Sequence, residues 1–251
     1  TRDCYIVNDD EFIEISKNKI KIFNKNGNEK KVEIKTINLN NETAEKCGYD
    51  YFMGKEIFEQ PKAVRDTVSP LIKDNKIQLP FEFPESFIKN LNRIYIVACG
   101  SAYHVGVTAK YIIEDMVNIP VMVDIASEFR YRKPVLGKND LCVFISQSGE
   151  TADTLASLRE AKSKGVFTLS VVNVPFSTIG RESDGVIYTN AGAEIAVATT
   201  KAFSAQLSVA YILSAYLSYK KGNINDNELK FFIDGILSLP EKIKSALDCN
   251  E

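Results

Sequence analysis

Leu141–Gly165 reads LCVFISQSGETADTLASLREAKSKG. Its first five residues are apolar without a break, the pattern of a strand buried on both faces, as in a parallel sheet covered by helices. Ser146, Gln147, Ser148 and Gly149 follow as a turn, and a helical pattern opens at Glu150 or Thr151. Short hydroxyl and amide side chains therefore sit at the carboxyl end of a parallel strand, beside helix N–H groups and the positive end of the helix dipole. That is chemistry for a dianionic phosphate. A helix cap would need one such residue; here Ser146, Ser148, Thr151 and Gln147 crowd into six positions. Gly149 is expected to let the backbone approach the ligand.

The same pattern recurs upstream. Val97–Gly106, VACGSAYHVG, is a strand end, a glycine turn and a helix start. It is expected to place Gly100 and Ser101 at the carboxyl end of a neighbouring strand, where doubly wound domains bind ligands. A dinucleotide site would require GxGxxG; Gly100 and Gly106 do not form it, although Asp124 stands where an acidic partner would. Around these two segments lie a helical FIKNLN, a helix through AYHVGVTAKYIIEDMV, strands VMVDI, VFTLSVVNV and GVIYTN, a turn region PFSTIGRESD, and a long helix from about residue 198 to 220. Five apolar strands alternating with helices predict an α/β, doubly wound, five-stranded parallel sheet over residues 85–222.

Flanking segments differ. Residues 1–39 carry CYIVN, EFIEIS, KIKIFN and KVEIKTI between polar turn clusters, a short antiparallel meander with too little surface to be stable alone. Residues 40–84 read as a connector whose helix breaks around Pro61. Residues 223–251 contain another helical pattern, NELKFFIDGILSLPEKIKSAL.

Composition narrows the chemistry. The 31 basic and 33 acidic residues give a net charge of −2 and no basic stripe, so no nucleic-acid partner is expected. No apolar run approaches the roughly 20 residues of a membrane span. Five scattered cysteines without a CxxC pair fit a reducing, cytoplasmic setting. His104 is the only histidine, which excludes triads and multi-histidine metal sites built from these residues; no metal or other cofactor is expected. Thr1 in place of an initiating methionine suggests an excised or processed piece. His104 reads as a partly buried packing or capping residue, and Cys99 and Cys142 as small core residues. Arg130, Arg132 and Lys133 read as a solvated face more than an anion guide, while Glu194 and Lys201 either orient the crevice or bracket a loop.

The paired loops resemble the sugar isomerase (SIS) domain, and the wording is narrower than the fold. MGKEIFEQPKAV (53–64), ASEFRYRKP (126–134), SQSGETADTL (146–155), VPFSTIGRESD (174–184) and AGAEIAVATTKAFSAQL (191–207) are similar, in order and spacing, to the glutamine:fructose-6-phosphate aminotransferase (isomerizing) family, the glucosamine-6-phosphate synthases. The resemblance implies that residues 1–39 are closing strands of a glutaminase domain, 40–84 a connector, 85–222 a first SIS domain and 223–251 a tail towards a second. It implies a substrate site of Ser101, Ser146, Gln147, Ser148 and Thr151 on the phosphate, with Val197 touching the sugar through its backbone. It also implies fructose 6-phosphate or glucosamine 6-phosphate as ligand, a homodimer, no cofactor, and no catalytic residue within this chain. A stand-alone regulatory sugar-phosphate module and a deglycase-like SIS enzyme are the competing readings.

Overall fold

The computed structural model of the chain describes residues 3–8, 10–31, 34–36, 45–84 and 86–249. The chain forms two compact units, Thr1–Glu45 and Lys46–Glu251.

In the first unit β1 (Asp3–Cys4) is followed by an antiparallel meander of β2 (Glu11–Ser16), β3 (Lys19–Asn24) and β4 (Glu29–Lys30), and β5 (Lys35–Thr36) pairs antiparallel with β1. The β3–β4 turn uses Gly27 at φ +78°, with the Asn24 side chain accepting from the Asn26 and Asn28 amides. CYIVN is expected from sequence to be a strand through Asn8, but Tyr5–Asn8 lie outside β1. The Tyr5 hydroxyl and Asn8 amides instead donate to the Glu11 carboxylate, which bends the chain into β2. KVEIKTI is not one strand either: β4 stops at Lys30 and β5 begins at Lys35. Val32, Glu33, Ile37 and the expected boundary at residues 39 and 40 lie outside the described residues.

The second unit opens with α1 (Phe52–Phe58) and α2 (Gln60–Val68), broken at Glu59 with Pro61 in the first turn of α2, where its missing N–H is harmless. A small hairpin, β6 (Ile72–Lys73) and β7 (Lys76–Ile77), leads towards the main sheet. FIKNLN, expected as helix, is a turn: Ser86 has φ +62°, and the Asn92 amide bonds to Asn139 O, drawing the chain into the sheet. Then come β8 (Arg93–Ala98), α3 (Gly100–Val117), β9 (Val121–Ile125), α4 (Ala126–Tyr131), β10 (Asp140–Ser146), α5 (Ala152–Ser163), β11 (Phe167–Val172), α6 (Thr178–Glu182), β12 (Gly185–Tyr188), α7 (Lys201–Lys221) and α8 (Asp226–Leu247).

β8 to β12 form the expected five-stranded parallel sheet, in the order β12-β11-β10-β8-β9. Alternate residues sort to two faces, as a period of two requires. Ile94 and Ile96 of β8 with Leu141, Val143 and Ile145 of β10 pack under α2, α3, α7 and α8; Tyr95, Val97, Cys142 and Phe144 pack under α4, α5 and α6. Burial pushes the Cys142 thiol up, consistent with a core role. The tail helix α8 starts at a complete capping box, Asn225 with Glu228.

Candidate functional site at the topological switch point

Chain order along the sheet reverses between β8 and β10, which lie side by side with Ala98 opposite Ile145. The loops leaving those two strands therefore diverge to opposite faces and leave a crevice at their carboxyl ends. A cavity of about 270 Å³ occupies it, and Ser101, Ser146, Gln147, Ser148, Thr151 and Val197 all line it. The two loops proposed from sequence are thus brought together, and the segment before α7 joins them. Val197 is fully exposed on that segment.

The loop after β10 is tightly internally bonded. Gly149 N–H donates to Ser146 Oγ at 3.0 Å, Ser146 Oγ lies 3.0 Å from Thr151 Oγ1, and Glu150 N–H donates to Ser148 Oγ at 3.2 Å. Thr151 occupies the N-cap of α5, yet its side chain makes no capping hydrogen bond. The first N–H groups of a helix have no intrahelical acceptors, and the positive end of the helix dipole lies at this same start of α5. This is not the arrangement of a simple cap.

Gly149 has a different reason from the one expected. It adopts φ +67°, and a Cβ there would lie 2.1 Å from Ser177 Oγ, so the close approach is to the α6 segment and not to the cavity. Asn173 N–H donates to Gln147 O, Ile179 N–H to Gly149 O, and Thr178 N–H to the Glu150 carboxylate at 2.6 Å. The turn region PFSTIGRESD, with its unforeseen helix α6, buttresses the loop after β10.

Cys99, Ala102, Ile145, Glu194, Ala196, Thr199 and Gln206 complete the lining. Gln206 and Thr199 stand outside the residues expected from sequence; the one signal for Gln206 was an amide side chain within the mostly apolar AFSAQL. Glu194 brackets the loop: it accepts from Thr199 Oγ1 and from the Thr200 and Ala202 amides, capping α7 from a distance. That capping also explains why α7 begins at Lys201 and not near residue 198. Lys201 turns away from the cavity to Glu59, 2.6 Å off. Arg130 and Arg132 are paired with Asp153 and Asp124 and do not line the cavity. His104 is exposed and stacks edge-on against Tyr103, so the expectation of partial burial is corrected: its place early on α3 faces it outward. Among the described residues there is no cluster of three or more metal-ligating side chains, and no helix is long and apolar enough to cross a membrane.

Comparison with known proteins bears on the fold and the family. A family model described as SIS domain matches residues 87–215. Glutamine--fructose-6-phosphate aminotransferase [isomerizing] of Clostridium tetani is 50% identical over 254 residues, covering 100% of this chain and 42% of the relative. The protein of that name from Clostridium acetobutylicum is 46% identical with the same coverage. The chain therefore spans under half the length of these curated relatives. Among solved structures, the C-terminal domain of glucosamine-fructose-6-phosphate aminotransferase from Francisella tularensis superposes with a TM-score of 0.77 at 41% identity, over 81% of this chain and 58% of that one. With the family model matched across strands, helices and both switch-point loops, the chain belongs to the SIS domain family.

Proposed function

We propose that this chain is part of a glucosamine-6-phosphate synthase, and that its switch-point cavity holds the phosphate and sugar of fructose 6-phosphate or glucosamine 6-phosphate. The observation that carries this reading is convergence: six residues assigned through resemblance, running from Ser101 to Val197 in sequence, line one cavity beside the uncapped start of α5. Ser146, Gln147, Ser148 and Thr151 take the phosphate, Ser101 closes it from the β8 side, and the Val197 backbone meets the sugar. The parent reaction turns fructose 6-phosphate and glutamine into glucosamine 6-phosphate for amino-sugar synthesis. No catalytic residue is assigned among residues 1–251, and this chain alone is proposed to bind without turning over. Residues 1–39, 40–84, 85–222 and 223–251 take the domain roles given above, in a cytoplasmic homodimer.

Ser148→Ala tests the site. A hydrogen bond to a charged oxygen contributes roughly 1.5–3 kcal/mol, so affinity for fructose 6-phosphate should fall about ten- to a hundredfold in calorimetric titration. Thermal unfolding of the ligand-free variant should shift by no more than about 0.5 kcal/mol. Unchanged affinity, or no binding by the parent chain at millimolar ligand, overturns the reading.

A further inference from the structure

The connector word EIFEQP contributes nothing to the cavity lining, yet three of its polar side chains reach across the fold to one stretch of chain. Glu56 Oε1 accepts from the Ile195 and Ala196 amides at 2.6 and 3.2 Å. Glu59 Oε2 meets Lys201 Nζ at 2.6 Å, and Gln60 Oε1 accepts from Ser204 Oγ at 2.6 Å. Glu56 and Lys201 are each 2% exposed. Buried charge is unfavourable unless it is paired or hydrogen-bonded, and a carboxylate gripping backbone N–H groups is a strong anchor. The two sequence words EIFEQP and AGAEIAVATTKAFSAQL are thus opposite halves of one polar clamp, buried at Glu56 and Lys201.

The clamp bears on the cavity through the segment before α7. Asn173 holds one end, donating to Gly192 O and accepting from the Ala191 amide; Glu194 holds the other through Thr199, Thr200 and Ala202. Between them, Ala196 and Val197 line the cavity, and the Ile195 and Ala196 amides are bonded to Glu56. We propose that Glu56 is a positioning residue: from α1 it sets where the Ala196–Val197 backbone meets the sugar, whereas the loop after β10 is held by its own bonds and by the α6 segment, and is joined to the segment before α7 through Asn173. The connector then tunes sugar recognition separately from anion recognition. This rests on the proposed sugar-phosphate site.

Two readouts on the full chain test it. Amide hydrogen exchange at Ile195 and Ala196 needs no ligand: Glu56→Ala should lower their protection about tenfold or more, whereas Glu56→Gln, which keeps an acceptor oxygen, should restore most of it. In titrations, Glu56→Ala should weaken fructose 6-phosphate about tenfold and leave inorganic phosphate within about twofold, again with rescue by Glu56→Gln. Glu56→Asp keeps the charge but shortens the reach and should show the same selective loss, so it substitutes if Glu56→Ala does not fold. Unchanged protection at both amides, a parallel loss of both ligands, or no rescue by glutamine overturns the role of Glu56. If the unsubstituted chain binds neither ligand, the sugar-phosphate reading fails and the selectivity role falls with it; protection at Ile195 and Ala196 that still depends on Glu56 would mark that outcome as a failure of the site and not of the anchor.

Discussion

The two units order themselves around opposite kinds of centre. In Thr1–Glu45, Ile22 is the only apolar side chain among the described residues that is fully buried, while Phe12, Ile15 and Ile20 are half exposed or more. What gathers that unit is a carboxylate: Glu11 receives the Tyr5 hydroxyl, both Asn8 nitrogens and the Lys30 ammonium. In Lys46–Glu251 the centre is an apolar sheet covered by helices, with a few buried hydroxyls such as Thr168 and Ser170 of β11 set among the apolar side chains. Strand ladders occur in both. Alternating residues specify a strand, but only a second layer over it removes its apolar face from water, and that removal stabilises a fold more than the ladder does.

Substitutions should separate the units most sharply in their centres. Phe144→Ala, at a fully buried position of β10, should destabilise the second unit by about 3–5 kcal/mol. Ile15→Ala, at a side chain 76% exposed, should stay within about 0.5 kcal/mol. Denaturant unfolding followed by probes in each unit measures both, and equal losses would erase the distinction.

A matched pair of glycines gives the next largest effect. Gly27 and Gly149 both have positive φ, but a Cβ on Gly27 meets nothing within 4 Å whereas one on Gly149 strikes Ser177. Gly27→Ala should cost about 1–2 kcal/mol for backbone strain alone. Gly149→Ala should exceed it by about 1–3 kcal/mol through overpacking, and should lower anion affinity as well. Similar unfolding midpoints for the two variants would show that α6 yields easily.

Acid should produce the smallest difference. The Lys30 ammonium first, then the Asn8 amide, hold the Glu11 carboxyl down at about 2, against burial that pushes it up. A carboxyl depressed by folding contributes stability above its unfolded value, near 4.5, and loses it as pH falls through the folded value. Asp184 in the second unit is raised by burial but lowered more by the Thr168 amide and hydroxyl and by Lys162, so its sign is the same. Amide exchange between pH 5 and 2 should show the first unit opening earlier, because among its described residues only Ile22 adds a fully buried apolar side chain to what the carboxylate holds. Glu11→Gln should flatten that response; an unaltered acid profile would remove the carboxylate from its central place.

The features legible in the sequence are those encoded within a few residues. Leu141–Ile145 followed by a hydroxyl and amide cluster announces a buried strand and its loop, and both lie where expected. Strand order was not legible, because it depends on which face each crossover helix covers; yet that order is what makes the Ser101 and Ser146–Thr151 loops neighbours. Phe87 and Leu91 mimic a helical repeat, but the positive φ at Ser86 and the bond from Asn92 to Asn139 turn the chain instead. The partnership of Glu56 with Ile195 spans 139 residues, and no local pattern signals it.

The cavity at the switch point is walled by chain from Cys99 to Gln206, joined only when β8 and β10 are paired and α7 has docked. Contacts so distant in sequence close late in folding, since loop entropy opposes them until the remainder is in place. On the proposed function, an anion held there would have little to grip in the folding transition state. Its influence would fall on the rate of unfolding: occupancy would lengthen the lifetime of the native chain while refolding proceeded at its own pace.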